Sequence, residues 1–232
     1  SSREKNNTPL VSIVGYTNAG KSTLLKSLTS SDAYVADELF ATVDSLQREL
    51  PIKNIQEPLI LSDTVGFIQN LPTTLIESFK STLLVATSAD LLIHVVDAAT
   101  AIPQMHIGTV KSILEQINVS ANEIMVFNKI DRLDRASLND LTERYPQALF
   151  ISSLKNTGVE ELLERISSEI YGEIKQGSFL VEPKDLEKVN RFGEILEVIN
   201  SSNLLLLEIS MRSKLIRKLI DLKIMKESEN AE

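Results

Sequence analysis

Short apolar runs alternate along this chain with longer stretches whose apolar residues recur every three or four positions. Val11 to Val14, Leu59 to Leu61, Leu91 to Val96, Ile124 to Phe127 and Leu149 to Ile151 have the continuity of strands buried on both faces, and Leu46 to Ile52 reads as a more polar strand. Ser22 to Leu28, Ile102 to Ile117 and Val159 to Tyr171 carry helical spacing. Strands alternating with helices predict an α/β fold, a mostly parallel sheet with helices on both faces, whose ligands bind beyond the carboxyl ends of the strands. The pattern changes around Tyr171 to Ser178, where Gly172 and Gly177 flank a polar link. Beyond it, Phe179 to Val181 reads as a strand and Asp185 to Phe192 as a short helix. Glu194 to Ile199 and Leu204 to Ile209 read as strands paired through the turn Asn200-Ser201-Ser202-Asn203, and a final helix follows. The expected organisation is a polar, flexible leader over residues 1–8, an α/β domain over 9–172 and a small α+β subdomain, ordered βαββα, over 178–232.

The first apolar run opens onto Gly15-Tyr16-Thr17-Asn18-Ala19-Gly20-Lys21-Ser22, which fits the phosphate-loop pattern GxxxxGK(S/T) in its strand–loop–helix context. The glycines let successive N–H groups converge on phosphate oxygens, and the following helix N-terminus adds positive charge. Lys21 is placed to reach β- and γ-phosphates, the Ser22 hydroxyl to bind Mg2+, and Thr23 follows it into the helix. About 40 residues on, Asp63-Thr64-Val65-Gly66 closes another strand. There Asp63 can hold Mg2+ through water and the Gly66 N–H can approach the γ-phosphate. Between the two lies Phe40-Ala41-Thr42-Val43-Asp44, where Thr42 is the candidate to close on Mg2+ and γ-phosphate as a switch. Lys21, Thr42 and Gly66 are therefore the candidate catalytic residues. Asn128-Lys129-Ile130-Asp131 ends the strand Ile124 to Phe127. The Asp131 carboxylate can accept from N1–H and the 2-amino group of guanine, donors that adenine lacks at that edge. Asn128 would tie this loop to the phosphate loop, and the Lys129 stem would cover the base. Ser152-Ser153-Leu154, after the strand Leu149 to Ile151, resembles an SA(K/L) element whose backbone N–H meets guanine O6. The expected ligands are GTP and GDP.

Composition narrows this further. The net charge of −8 argues against a general nucleic-acid coat protein. Residues 1–171 carry 14 Lys and Arg against 21 Asp and Glu, while residues 172–232 carry 10 against 11. Met211 to Lys226 reads as a locally basic helix, with Arg212, Lys214, Arg217, Lys218, Lys223 and Lys226 against Asp221. Such a helix can touch RNA or can be a solvated face. There is no cysteine, no signal-peptide pattern and no apolar run of membrane-spanning length, so no membrane partner is expected. The expected setting is the cytoplasm or an organelle matrix, and the expected state is a monomer. His94 lies in an apolar run and reads as a core residue, while His106 reads as a helix-surface residue. Neither is given a catalytic role.

Taken together and in order, these elements resemble a P-loop GTPase of the translation-factor-related class, and more closely the HflX family of ribosome-associated GTPases. The residues that carry the resemblance are Gly15 through Thr23, Leu39 through Asp44, Asp63-Thr64-Val65-Gly66-Phe67-Ile68, Leu71-Pro72, Phe79 through Leu83, and Ala89 through Asp97. Gly193-Glu194-Ile195-Leu196-Glu197 is similar to that family's small C-terminal domain. The chain departs from the family at Ser81 through Val85, at Asp44-Ser45-Leu46 and at Thr73, none of which removes a phosphate or guanine contact. The family's large N-terminal domain lies outside this sequence. The resemblance implies binding to the large ribosomal subunit and, in some members, separation of ribosomal subunits under stress. Many GTPases orient water with a glutamine just after DxxG, where this chain has Phe67, and Gln69 stands two residues further. Slow intrinsic turnover is the expectation. In several related GTPases lacking that glutamine, an asparagine at the position of Asn18 helps bind K+, and Asn18 either does so here or shapes the loop. Two alternatives stay open, a nucleotide-gated interaction module with negligible hydrolysis and a K+-type GTPase of ribosome assembly or tRNA modification.

Overall fold

The computed structural model describes residues 8–29, 47–63, 86–201 and 203–228. Its larger sheet is built from β1 (Leu10–Gly15), β2 (Gln47–Ile52), β3 (Ile55–Asp63), β4 (Leu91–Asp97), β5 (Asn122–Asn128) and β6 (Leu149–Phe150), in the order β2-β3-β1-β4-β5-β6. β1 runs parallel to β3 and β4, β4 parallel to β5, and β5 parallel to β6. The helices are α1 (Lys21–Thr29), α2 (Pro103–Gln116), α3 (Arg135–Arg144) and α4 (Val159–Tyr171). β1 is buried at every position and β4 at all but its last, so helices and loops cover both faces of the sheet centre. One apolar cluster joins Val14 and Leu92 to Val110, Ile113 and Leu114 of α2. A second joins Val96 and Phe127 to Ile107 and Leu141, with Phe127 and Phe150 stacked 5.4 Å apart. The expected α/β architecture, parallel over most of the sheet, is the observed one.

The carboxyl ends of β1, β3, β4 and β5 carry Gly15, Asp63, Asp97 and Asn128. Parallel pairing in register brings them to one edge, with Ile13 beside Asp63, Gly15 beside Val95 and Asp97 beside Asn128. The fold thus collects residues distant in sequence along a single rim.

A second sheet is antiparallel. It contains β7 (Ile174–Val181), β8 (Gly193–Ser201), β9 (Leu204–Arg212) and β10 (Met225–Glu227), in the order β10-β7-β9-β8, with the short helices α5 (Leu186–Asn190) and α6 (Ser213–Asp221). Phe179 pairs with Leu207, and Leu215, Ile216 and Leu219 of α6 are buried. The βαββα order expected from the sequence gains a strand, because Met225 to Glu227 pairs back onto Phe179 to Val181. The basic helix expected over Met211 to Lys226 is correspondingly short. Arg212 closes β9, is buried, and donates to the Gly172 carbonyl at 3.2 Å. Lys223 leaves the helix with φ of 57°, and Lys226 lies in β10. Lys214, Arg217 and Lys218 remain on α6; the Lys214 Nζ donates to the Glu169 carbonyl and Lys218 sits 4.8 Å from the Phe192 ring centre.

By its contacts the chain divides into one unit of residues 1–50 and 59–164 and another of 51–58 and 165–232. The tip of the β2–β3 hairpin thus belongs with the second unit, where the Gln56 N–H donates to Arg191 O at 2.8 Å and Asn54 Nδ2 to Glu194 Oε2 at 3.1 Å. Among the described residues, no helix is long and apolar enough to cross a membrane.

Candidate functional site

The turn after β1 is shaped by its two glycines. A Cβ on Gly15 would stand 2.3 Å from the Val95 carbonyl oxygen, so only glycine lets β1 end this close to β4. Gly20 has φ of 93°, and a Cβ there would stand 2.3 Å from Asn128 Nδ2. Between them the turn closes through the Ala19 N–H, which donates to Tyr16 O at 3.3 Å, with Asn18 in the left-handed region at φ of 59°. Tyr16 and Thr17 are half-buried, Asn18 is exposed and Ala19 is buried.

Lys21, first in α1, folds back under this loop and is buried. Its Nζ donates to Gly15 O at 3.2 Å and to Tyr16 O at 3.1 Å. Burial pushes its pKa down to about 8, against the opposing pull of the Asp63 carboxylate. The next residue reaches the same carboxylate, since Ser22 Oγ donates to Asp63 Oδ2 at 2.8 Å. Thr23 follows, half-buried. A hydroxyl and a fully buried carboxylate that share one point beside a phosphate-shaped loop are a donor set suited to a hard divalent cation. Among the described residues, no group of three or more His, Cys, Asp or Glu could hold a metal by itself. A cation at Ser22 and Asp63 would therefore depend on oxygens supplied by a ligand.

The expected guanine loop is joined to this turn by direct bonds. Asn128 is buried, with its Nδ2 donating to Ala19 O at 3.1 Å. Its Oδ1 accepts from the Ser153 N–H at 3.0 Å and from Ser153 Oγ at 2.9 Å. One amide thus spans three loops. Lys129, in the left-handed region at φ of 67°, extends its Nζ to Asn18 O at 2.5 Å and to Asp97 Oδ2 at 2.7 Å. Ile130 opens a short 3-10 turn, its N–H donating to Ile151 O at 3.2 Å. Asp131 is half-buried, and its Oδ1 accepts from Ser152 Oγ at 2.5 Å. That bond, opposed by a small burial effect, holds the Asp131 carboxyl below its ordinary range and keeps it an acceptor. Ser152 is itself fixed by paired backbone bonds to Thr157, and Leu154 is 75% exposed.

Gly15 through Thr23, Asp63, Asn128 through Asp131, and Ser152 through Leu154 are thereby gathered around the strand ends. Phe40 through Asp44, Thr64, Val65, Gly66, Phe67 and Gln69 lie outside the described residues. Two residues were given no role in the sequence. Asp97, which closes an apolar strand on the same rim, grips Lys129. His106, read as a surface residue, is half-buried and stacks flat on Tyr16, with ring centres 3.9 Å apart and planes 5° from parallel. An acid ending a strand is a legible signal; the stack is not, because it rests on contact across 90 residues of chain.

Comparison with known proteins fits this geometry. A family model described as 50S ribosome-binding GTPase matches residues 10–129. The GTPase HflX of Caldanaerobacter subterraneus subsp. tengcongensis is 42% identical over 198 residues, covering 85% of this chain and 45% of that protein. The GTPase HflX of Escherichia coli is 38% identical over 199 residues, covering 84% of this chain and 46% of that protein. The chain thus spans a little under half the length of these curated relatives. Among solved structures, a GTP-binding protein from the hyperthermophilic archaeon Sulfolobus solfataricus in complex with GDP matches with a TM-score of 0.53 at 31% identity, over 72% of this chain and 54% of that one.

Proposed function

Because the chain belongs to the 50S ribosome-binding GTPase family, and its HflX resemblance is borne out by those relatives, we propose that it binds GTP and GDP, hydrolyses GTP, and acts as a switch on the large ribosomal subunit in splitting or rescue under stress. The observation that carries this reading is the pair of bonds from Asn128 to Ala19 O and from Lys129 to Asn18 O, which makes the base-reading and phosphate-holding loops one rigid site. A binder of phosphate alone has no need of such a tie.

In this reading the N–H groups from Asn18 to Ser22 face the phosphates. Lys21 leaves the carbonyls of Gly15 and Tyr16 for the β- and γ-phosphate oxygens. Ser22, directly, and Asp63, through water, would hold Mg2+, which would supply neutralisation of phosphate charge. Asp131, kept ionised by Ser152, accepts from guanine, and the backbone N–H groups of Ser153 and Leu154 are the donors for O6. Thr42 and Gly66, which lie outside the described residues, are assigned to the γ-phosphate by their motifs alone. Phe67 cannot orient water, so turnover is slow until a partner supplies what is missing. Asn18, whose carbonyl Lys129 grips, would be the residue to hold K+, which would supply positive charge where the missing glutamine leaves none.

The test is GTP turnover in K+ and in Na+ buffer, with and without purified large ribosomal subunits. Slow turnover in isolation, at least tenfold stimulation by subunits and a faster rate in K+ are expected. Phosphate release unchanged by subunits, with guanine nucleotide binding intact, would overturn the ribosomal role. Equal rates in Na+ and K+ would remove the K+ site. Undetectable hydrolysis under every condition would favour the nucleotide-gated module that Phe67 keeps in view.

A further inference from the structure

The end of β4 and the first turn of α2 are linked to the phosphate loop on either side of Thr17, one through Lys129 and the other directly. At one, Asp97 holds Lys129, whose Nζ grips the Asn18 carbonyl. At the other, the His106 ring lies on the Tyr16 ring at 3.9 Å and 5°. Tyr16 is the hub of the loop's own bonding, because its carbonyl accepts from the Ala19 N–H that closes the turn and from Lys21 Nζ. A stack that holds the Tyr16 side chain against α2 restrains the backbone from which this carbonyl is presented.

His106 is well placed to do this. It sits in the first turn of α2, its N–H donating to Ile102 O at 3.4 Å, in a helix begun by Pro103 at its N-terminus. The following residue, Ile107, is buried against Val96, Phe127 and Leu141, so the ring projects from an anchored element. Burial lowers the His106 pKa against the pull of Asp97, so a neutral imidazole faces the phenol at neutral pH.

We propose that His106 is a positioning residue for nucleotide binding: stacked on Tyr16, it holds the phosphate loop in its receiving shape and sets how long a guanine nucleotide stays. The inference rests on the nucleotide-binding reading above. It assigns His106 no contact with the nucleotide and no part in choosing the base, which belongs to Asp131. An aromatic stack of this kind alters an equilibrium by about three- to tenfold.

The experiment is dissociation of N-methylanthraniloyl-GDP from the wild-type chain and from H106A, H106L and H106F, followed by fluorescence, with thermal melting of each nucleotide-free variant. H106A and H106L are expected to release the nucleotide about three- to tenfold faster, with GDP-over-XDP preference unchanged, while H106F stays within about twofold of wild type. Leucine fills the volume without a flat ring, so H106L against H106F decides the matter even where H106A is poorly folded. Equal release rates across all four proteins overturn the proposal. H106F releasing as fast as H106L overturns it too, since a flat ring would then not be the requirement. A wild-type chain that binds no guanine nucleotide would instead remove the underlying reading.

Discussion

Lys21 is a cation held in a place that disfavours charge. Its pKa of about 8 comes from burial, and phosphate oxygens arriving beside it would restore the ammonium and raise that value. The sign follows directly. Below pH 8 Lys21 is already charged and binding proceeds without proton transfer; above pH 8 the nucleotide must bind together with a proton. GDP affinity is therefore expected to weaken as pH rises from 7 to 9, with net proton uptake near pH 8.5, measured by titration calorimetry in buffers of different ionisation enthalpy. Zero uptake across that range would contradict the burial argument. Asp131 offers a second test at this scale. Asp131→Asn turns one acceptor into a donor, so guanine affinity is expected to fall at least about a hundredfold while xanthine nucleotides gain, read by competition binding. Asp131, Lys21 and Ser22 were all legible in the sequence because their motif supplies its own spacing. Asp97 shows in the sequence only as an acid ending an apolar strand, and His106 not at all, because the partner of each is brought near only by the folded sheet.

The elements show where a pattern speaks and where it falls silent. The buried strands β1, β4 and β5 were readable as apolar runs. Helix α3 was not, because only Leu141 is buried and the rest of its face is polar. Its one local sign is Asp134, which caps the helix by accepting from the Ser137 N–H at 2.8 Å. The basic helix is shorter than its sequence predicts, and α6 ends without a glycine to mark the stop. Lys223 takes the left-handed conformation, and its N–H and that of Ile224 turn back to the carbonyls of Ile220 and Leu219. Within the sheet, His94 is buried on β4, as its apolar run predicted, with Nδ1 3.0 Å from Glu123 Oε1 on β5. Burial would raise the Glu123 pKa, but the His94 bond, the His94 charge and Lys111 together lower it below 4.5. A depressed carboxylate stabilises the fold above the ordinary range and loses that contribution as pH falls through its lowered value. The melting temperature should thus drop between pH 5 and 3, and Glu123→Gln should flatten that drop while costing about 1 kcal/mol at pH 7, seen in denaturant titrations.

At the scale of the whole molecule, charge and contact pattern matter most. A net charge of −8, with Lys214 and Lys218 of α6 turned to the Glu169 carbonyl and the Phe192 ring, leaves little for a non-specific polyanion. The chain is expected to pass unretained through heparin at about 150 mM salt, and retention there would show a basic surface stronger than composition implies. The grouping of the hairpin tip 51–58 with residues 165–232 could not be read from sequence, since Gln56 and Arg191 meet only through the folded backbone. The amide of Asn128, bonded to Ala19 on one side and Ser153 on the other, has a further consequence. These three residues lie far apart in the chain and coincide only in the native state, so an unfolded molecule has nothing with which to hold a ligand. By mass action, a nucleotide present at a hundred times its dissociation constant would add about 2.7 kcal/mol to the unfolding free energy. The survival of this protein against heat or proteolysis would then track the supply of its ligand, and its abundance would become a gauge of the guanine nucleotide pool.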